Sequence, residues 1–212
     1  MALKIGDKAP NFNVTATGGK KISLSSLSGK KVVLYFYPKD DTSGCTMEAC
    51  DFRDSIAAFR NLNAIVLGVS KDDLKSHDKF RAKYSLPFDL LSDEDGSLCE
   101  DYGTWAEKSM YGRKYMGIER ATFLIDEKGI IRGIWRKVSV PGHIDEVRAM
   151  ISGKNIAANN NVKPTAKTKT AKVKSKAKKI AAKKLTSKKP KPKTKNKVKT
   201  KPAKTKSKRK RA

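Results

Sequence analysis

Cysteine, histidine and long apolar runs are all scarce in this sequence of 212 residues. There are three cysteines, Cys45, Cys50 and Cys99. An odd and small number argues for reactive thiols rather than a structural disulfide framework. The two histidines, His77 and His143, stand far apart without metal-ligand spacing, so both are read as surface or structural residues. No stretch approaches the roughly 18 apolar residues of a membrane span. Met1 to Pro10 lacks the apolar run of a secretory signal. The expectation is a protein with no membrane partner in a reducing, cytoplasmic compartment. Acidic residues vanish from the last part of the chain: from Lys163 onward there are 24 Lys and Arg and no Asp or Glu. The net charge of +27 is therefore lopsided, because residues 1–162 hold 24 basic residues against all 21 acidic ones.

That split predicts one ordinary domain followed by a polycation. Residues 1–152 are long enough to bury a proper core; residues 153–162 read as a linker. Residues 163–212, rich in Lys, Ala, Pro and Thr, have almost no large apolar side chains and are expected to be disordered. Within the domain, Phe12 to Thr15 reads as a short strand and Ile22 to Leu27 as a short helix. Lys31 to Tyr37 and Ala64 to Val69 are apolar runs that suit strands buried on both faces. Between them, Phe52, Ile56 and Phe59 give a helical pattern from about Cys45 to Arg60. A surface helix over 72–84, a short strand over 88–91 and a short helix over 97–102 follow. Ala121 to Asp126 and Ile130 to Val138 form a hairpin around Glu127-Lys128-Gly129, and Ile144 to Ile151 a closing helix. The order describes an α/β three-layer sandwich: a central mixed sheet flanked by helices, its parallel strands joined through the first two helices and an antiparallel hairpin at its edge.

The chemistry concentrates in the segment from Tyr35 to Cys50. A buried strand ends at Pro38, a polar loop follows, and a helix begins near Cys45. A cysteine in the first turn of a helix meets free backbone N–H groups and the positive end of the helix dipole, both of which favour the nucleophilic thiolate. Gly44 gives a substrate room to approach the backbone, and Thr42 places a hydroxyl three residues before the thiol. A buried structural cysteine fits the position equally well, but Cys50, five residues on, moves the reading toward redox work. The spacing is not Cys-x-x-Cys, which disfavours dithiol exchange of the disulfide-oxidoreductase kind. Across i and i+5 of a regular helix the Cα atoms lie about 8.7 Å apart, beyond the ~7 Å reach of a disulfide. A Cys45–Cys50 bond therefore requires the helix to unwind.

The run FYPKDDTSGCTMEACDFRD resembles the active-site segment of the bacterioferritin comigratory protein, or peroxiredoxin Q, subfamily. The resemblance covers roughly residues 1–152, with GDKAPNF, KVVLYFYPKDDT, GVSKDD and GIERATFLIDEKG. Pro-x-x-x-Thr-x-x-Cys, here Pro38, Thr42 and Cys45, beside a later Arg-x-Thr-Phe beginning at Arg120, is its most specific part. Ser43 stands where the family usually has proline. The resemblance implies a thioredoxin-like fold, reduction of hydroperoxides, Cys45 as the peroxidatic and Cys50 as the intrahelical resolving cysteine, with Pro38, Thr42 and Arg120 completing the pocket. It also implies a monomer recycled by thioredoxin or a similar dithiol, with no cofactor; no motif for a metal, flavin or haem is visible. Glu48, three residues after Cys45, either orients Arg120 from the same helix face or is a solvated carboxylate. Cys99 is read as a bystander on an apolar helix face, with a redox-sensitive or alternative resolving thiol as the other option.

The Lys-rich segment is not part of the family pattern. Its partners by charge are polyanions, bound through counterion release and without sequence preference, since no aromatic is present to stack on bases. Nonspecific DNA binding through residues 163–212 is the leading reading, which would make the protein nucleoid-associated, or nuclear in a eukaryotic host. A localisation signal, and a solubility element or anionic-surface attachment, are the others. The competing function for the whole chain is a DNA-compacting protein with a passive peroxiredoxin domain; the intact Pro38, Thr42, Cys45, Cys50 and Arg120 set favours the enzyme.

Overall fold

The computed structural model describes residues 2–110 and 112–153, and the Lys-rich segment, with its expected disorder, lies outside them. Five strands form the central sheet: β3 (Lys31–Phe36), β4 (Ala64–Ser70), β5 (Asp89–Ser92), β8 (Ala121–Ile125) and β9 (Ile131–Arg136), in the order β5-β4-β3-β8-β9. β3, β4 and β5 run parallel, while β8 and β9 are antiparallel. The parallel strands connect through α1 (Ser43–Asn61) and α2 (Leu74–Lys83), because a parallel pair needs a long crossover.

The unbroken apolar run of β3 follows from its central position. Val32, Leu34 and Phe36 enter one cluster, with Phe123 and Ile125 of β8. Val33, Tyr35 and Tyr37 enter the other, with Phe52 and Phe59 of α1. Strand residues alternate faces, so both faces of the strand are dry. α1 and α4 (His143–Ile151), with Phe80 of α2, supply the second cluster. The first is covered by the N-terminal segment and by Leu98, Cys99 and Tyr102 from α3 (Ser97–Asp101) and its end. Two small ribbons complete the domain: β1 (Asn13–Thr15) with β2 (Lys21–Ser23), and β6 (Trp105–Met110) with β7 (Arg113–Ile118).

Two sequence expectations change. Ile22 to Leu27 is the end of a strand followed by one 3₁₀ turn at Ser25–Leu27, not a helix. The β6–β7 ribbon lies in a stretch where the sequence pattern gave no element. Of the surface and structural readings of the histidines, the structural one holds: His77 is 0% and His143 3% exposed, and both are hydrogen-bonded. Among the described residues no helix is long and apolar enough to cross a membrane.

Candidate active site

The site forms where β3 hands over to α1. Tyr37 still pairs with the sheet, its N–H donating to Val69 O at 3.0 Å, and Pro38, which has no N–H, ends the strand at an exposed position. Thr42 is the N-cap of α1, with extended backbone at φ −89 and ψ 151. Its hydroxyl does not cap the helix; it donates to Lys39 O at 3.1 Å. The N–H groups of the first turn, Ser43 to Cys45, are thus left without a side-chain acceptor and present partial positive charge beside the thiol.

Cys45 is the third residue of α1 and 2% exposed. Arg120, just before β8, reaches it from the neighbouring strand: Nη2 donates to Cys45 Sγ at 3.1 Å. Arg120 and Thr122 are two residues apart on extended chain and so share the sheet face that α1 covers. Gly44 eases the approach, because a Cβ there would stand 3.3 Å from Arg120 Nη2, a tight contact. The missing side chain makes room for the guanidinium as well as for any substrate.

Glu48, one turn after Cys45, is wholly buried and forms an ion pair with Arg120 Nη1. Of the two sequence readings of Glu48, the solvated carboxylate is excluded. Burial pushes its carboxyl up from 4.5 to about 7 although Arg120 pulls the other way. Burial also opposes the charge of Arg120, but Glu48 and Cys45 outweigh it and raise the guanidinium above its ordinary value. Arg120 is thereby held as a fixed cationic donor whose one side faces a carboxylate and whose other side faces the sulfur. Lys108 on β6 adds a half-buried cation, its pKa lowered by burial and then by the charge of Arg120.

Cys50 lies on the same unbroken helix, partly exposed, and Cys45, Cys50 and Cys99 are all free thiols. Cys99 sits elsewhere: it is 0% exposed, faces Asp93 and Thr104, and its thiol is pushed well up by burial and by Asp93. The structure therefore brings Cys45, Arg120 and Glu48 together, sets Thr42 and Pro38 in the loop that leads into Cys45, and keeps Cys99 apart. Sequence reasoning missed the buried carboxylate of Asp40 within this loop and its pairing with His77. The cleft of about 290 Å³ lined by Lys8, Leu24, Lys30, Val32, Glu127 and Gly129 contains none of these residues. Among the described residues, no group of three or more His, Cys, Asp or Glu is arranged to hold a metal ion.

Residues 5–134 match the AhpC/TSA family. The chain belongs to that family. Within it, the relatives are peroxiredoxins of the Bcp type. Over 147 residues the chain is 54% identical to the putative peroxiredoxin bcp of Coxiella burnetii (strain RSA 493 / Nine Mile phase I), covering 69% of this chain and 97% of that one. It is 49% identical over 146 residues to peroxiredoxin Bcp of Bacillus subtilis (strain 168), covering 69% and 93%. A solved structure of the bacterioferritin comigratory protein of Xanthomonas campestris, studied for its alkyl peroxide reduction activity, matches with a TM-score of 0.65 and 43% identity over 67% of this chain and 90% of that one. The α/β sandwich of this AhpC/TSA member is thus the thioredoxin-like peroxiredoxin fold, as the resemblance implied.

Proposed function

We propose that this peroxiredoxin reduces hydrogen peroxide and organic hydroperoxides to water and alcohols, with Cys45 as the attacking thiolate. The observation that carries the reading is the cationic donor of Arg120 at 3.1 Å from Cys45 Sγ, in the first turn of a helix whose N–H groups lack a side-chain cap. A negatively charged sulfur is the species this surrounding complements, and it is the nucleophilic one. The Xanthomonas relative's alkyl peroxide reduction supports the inclusion of organic hydroperoxides.

In the first step the thiolate attacks the near peroxide oxygen. An S–O bond forms, the O–O bond breaks, and the departing oxygen takes a proton to leave as water or alcohol; Cys45 becomes the sulfenic acid. Arg120 and the free N–H groups of the helix start hold the two oxygens in line as charge moves onto the leaving one. In the second step the first turns of α1 unwind and the Cys50 thiol condenses with the sulfenic acid, losing water and forming a disulfide. In the third a dithiol of the thioredoxin class exchanges with that disulfide, becomes oxidised itself and returns both cysteines to thiols. The domain spans residues 1–152, and the catalytic set is Cys45, Cys50, Thr42, Pro38 and Arg120. The cation-rich segment 163–212 binds duplex DNA without sequence preference, and the enzyme works in the cytoplasm near nucleic acid.

The test is peroxide consumption coupled to a thioredoxin system. Wild type should turn over, and Cys45→Ser should not while keeping the far-ultraviolet circular dichroism of the native fold. Sustained turnover by the variant overturns the assignment.

A further inference from the structure

Behind the loop that leads into Cys45 lies a buried polar network that the reaction as described leaves unused. Asp40 is 6% exposed, and three donors are aimed at its two carboxylate oxygens. Tyr37 Oη donates to Oδ1 at 2.7 Å, Ser76 Oγ to Oδ2 at 2.8 Å, and His77 Nδ1 lies 2.9 Å from Oδ2. The other ring nitrogen, His77 Nε2, lies 3.2 Å from Leu91 O. Each ring nitrogen thus lies within hydrogen-bond distance of an oxygen, which fixes the ring at both ends. Asp40 is also fixed through its backbone, whose N–H donates to Asp72 Oδ2 at 2.8 Å.

The next residue is held from the same side. Asp41 has φ +57, an uncommon setting for a residue with a side chain, and its carboxylate takes bonds from Lys83 Nζ, at 2.9 and 2.6 Å, and from Tyr84 Oη. Four side chains of α2 and its end, Ser76, His77, Lys83 and Tyr84, therefore grip two successive loop residues. Thr42, at the N-cap position of α1, comes directly after them, and Cys45 is three residues further. None of the four touches Cys45 or Arg120 in any hydrogen bond, so any influence on the sulfur passes through the loop backbone.

We propose that His77, acting through Asp40, is a positioning residue that fixes the Pro38–Thr42 loop and with it the setting of Cys45 against Arg120. The proposal rests on the reading of Cys45 as the peroxide-attacking thiol. Breaking a buried, fully satisfied network loosens the groups it holds, and a misplacement of about 1 Å costs on the order of 10²-fold in rate. An asparagine places its side-chain amide near the Nδ1 position of histidine and keeps the donor to Asp40; alanine keeps nothing.

The experiment measures the second-order rate constant of reduced full-length protein with hydrogen peroxide by stopped-flow fluorescence, beside its thermal midpoint. His77→Ala should react about 10²-fold more slowly, and His77→Asn should recover most of the rate, although both lose thermal stability. A purely packing role predicts lower midpoints with unchanged rates in both. Wild-type rates in folded His77→Ala, or an asparagine variant as slow as the alanine one, overturn the proposal. If His77→Ala does not fold, Tyr37→Phe and Ser76→Ala each remove one donor from Asp40; slower reaction supports the proposal and unchanged rates in both overturn it. Amide hydrogen exchange over residues 39–45 separates this from a failure of the Cys45 reading. Faster exchange in His77→Ala shows the grip on the loop even if wild-type Cys45 proves inert to peroxide, and unchanged exchange overturns the grip.

Discussion

Replacing Glu48 by glutamine isolates the energetic cost of the buried carboxylate beside the thiol. Glu48 has one oxygen on Arg120 and the other, Oε1, without a protein partner. Its carboxyl is displaced upward from 4.5 to about 7, chiefly by burial. Between these values the folded protein keeps a proton that the unfolded chain has released, so Glu48's contribution to stability is full below about pH 4.5 and is lost as pH rises through about 7. The displacement corresponds to roughly 3 kcal/mol. His143 acts in the opposite sense. Burial, then the charge of Arg120, lowers it from 6.5 to about 4, so its contribution is present above the unfolded value and lost as pH falls toward 4. The two slopes oppose each other in wild type over the shared window. Glu48→Gln removes only the falling slope. The stability of the variant relative to wild type should therefore climb by about 3 kcal/mol between pH 4.5 and 8. Urea denaturation of the reduced proteins across that range measures it. Parallel curves for the two proteins would refute the assignment of a buried, proton-holding carboxylate at position 48.

Arg120→Met should lower the rate constant for peroxide by about 10²-fold or more while Cys45 stays alkylatable, because a charged donor at the reacting sulfur is lost; a near wild-type rate would remove Arg120 from the site. Cys50→Ser should consume one equivalent of peroxide and then stall as sulfenic acid or overoxidise, read by mass spectrometry; full thioredoxin-coupled turnover in that variant would point to another resolving thiol. Cys99→Ser should leave turnover unchanged in a coupled assay, since its thiol is buried and pushed up by burial and Asp93. Removing residues 163–212 should leave turnover with a small peroxide nearly unchanged and abolish most DNA affinity in a gel-shift series, with the full-length affinity falling as salt rises at a slope of about −0.9 per phosphate neutralised.

How much of this was legible in the sequence follows from which interactions are local. The runs at 31–37 and 64–69 read as doubly buried strands because nearly every position after Lys31 meets a core, and the structure places them side by side in the middle of the sheet. The hairpin around Glu127-Lys128-Gly129 is written in its own turn residues. The β6–β7 ribbon was not legible: WAEKSM and RKYMGI carry charges at several positions and no regular apolar alternation, since the ribbon pairs outside the main sheet and exposes Tyr115 and Met116. At the site, the cysteine and arginine were found through a spaced motif. The histidines were left between a surface and a structural reading because a lone histidine carries no local sign of its partner; the Asp40 that meets His77 is 37 residues away and the Thr122 that meets His143 is 21 away. Glu48 was left between two readings for the same reason, since nothing near it in the sequence says that Arg120 arrives from another strand.

The start of α1 has to satisfy two opposed demands if Cys45 and Cys50 are to form a bond. The thiol must be held to meet peroxide, and the helix must then open, because the regular spacing of the two residues leaves their Cα atoms about 8.7 Å apart. The structure divides the demands between the two sides of Thr42. Before it, Asp40 and Asp41 are gripped by α2. After it, the helix begins without a side-chain cap, since the Thr42 hydroxyl is turned back to Lys39 O; a missing cap weakens a helix start by about 1 kcal/mol. Glu48 lies within the turns that must open, and its burial as a carboxylate is already unfavourable enough to move its pKa to about 7. Unwinding returns that carboxylate to water and regains its hydration, which offsets part of the ion pair lost with Arg120. If Cys45 and Cys50 are to bond, the uncapped first turn is thus where α1 would open, while the bonds from α2 hold the loop before it.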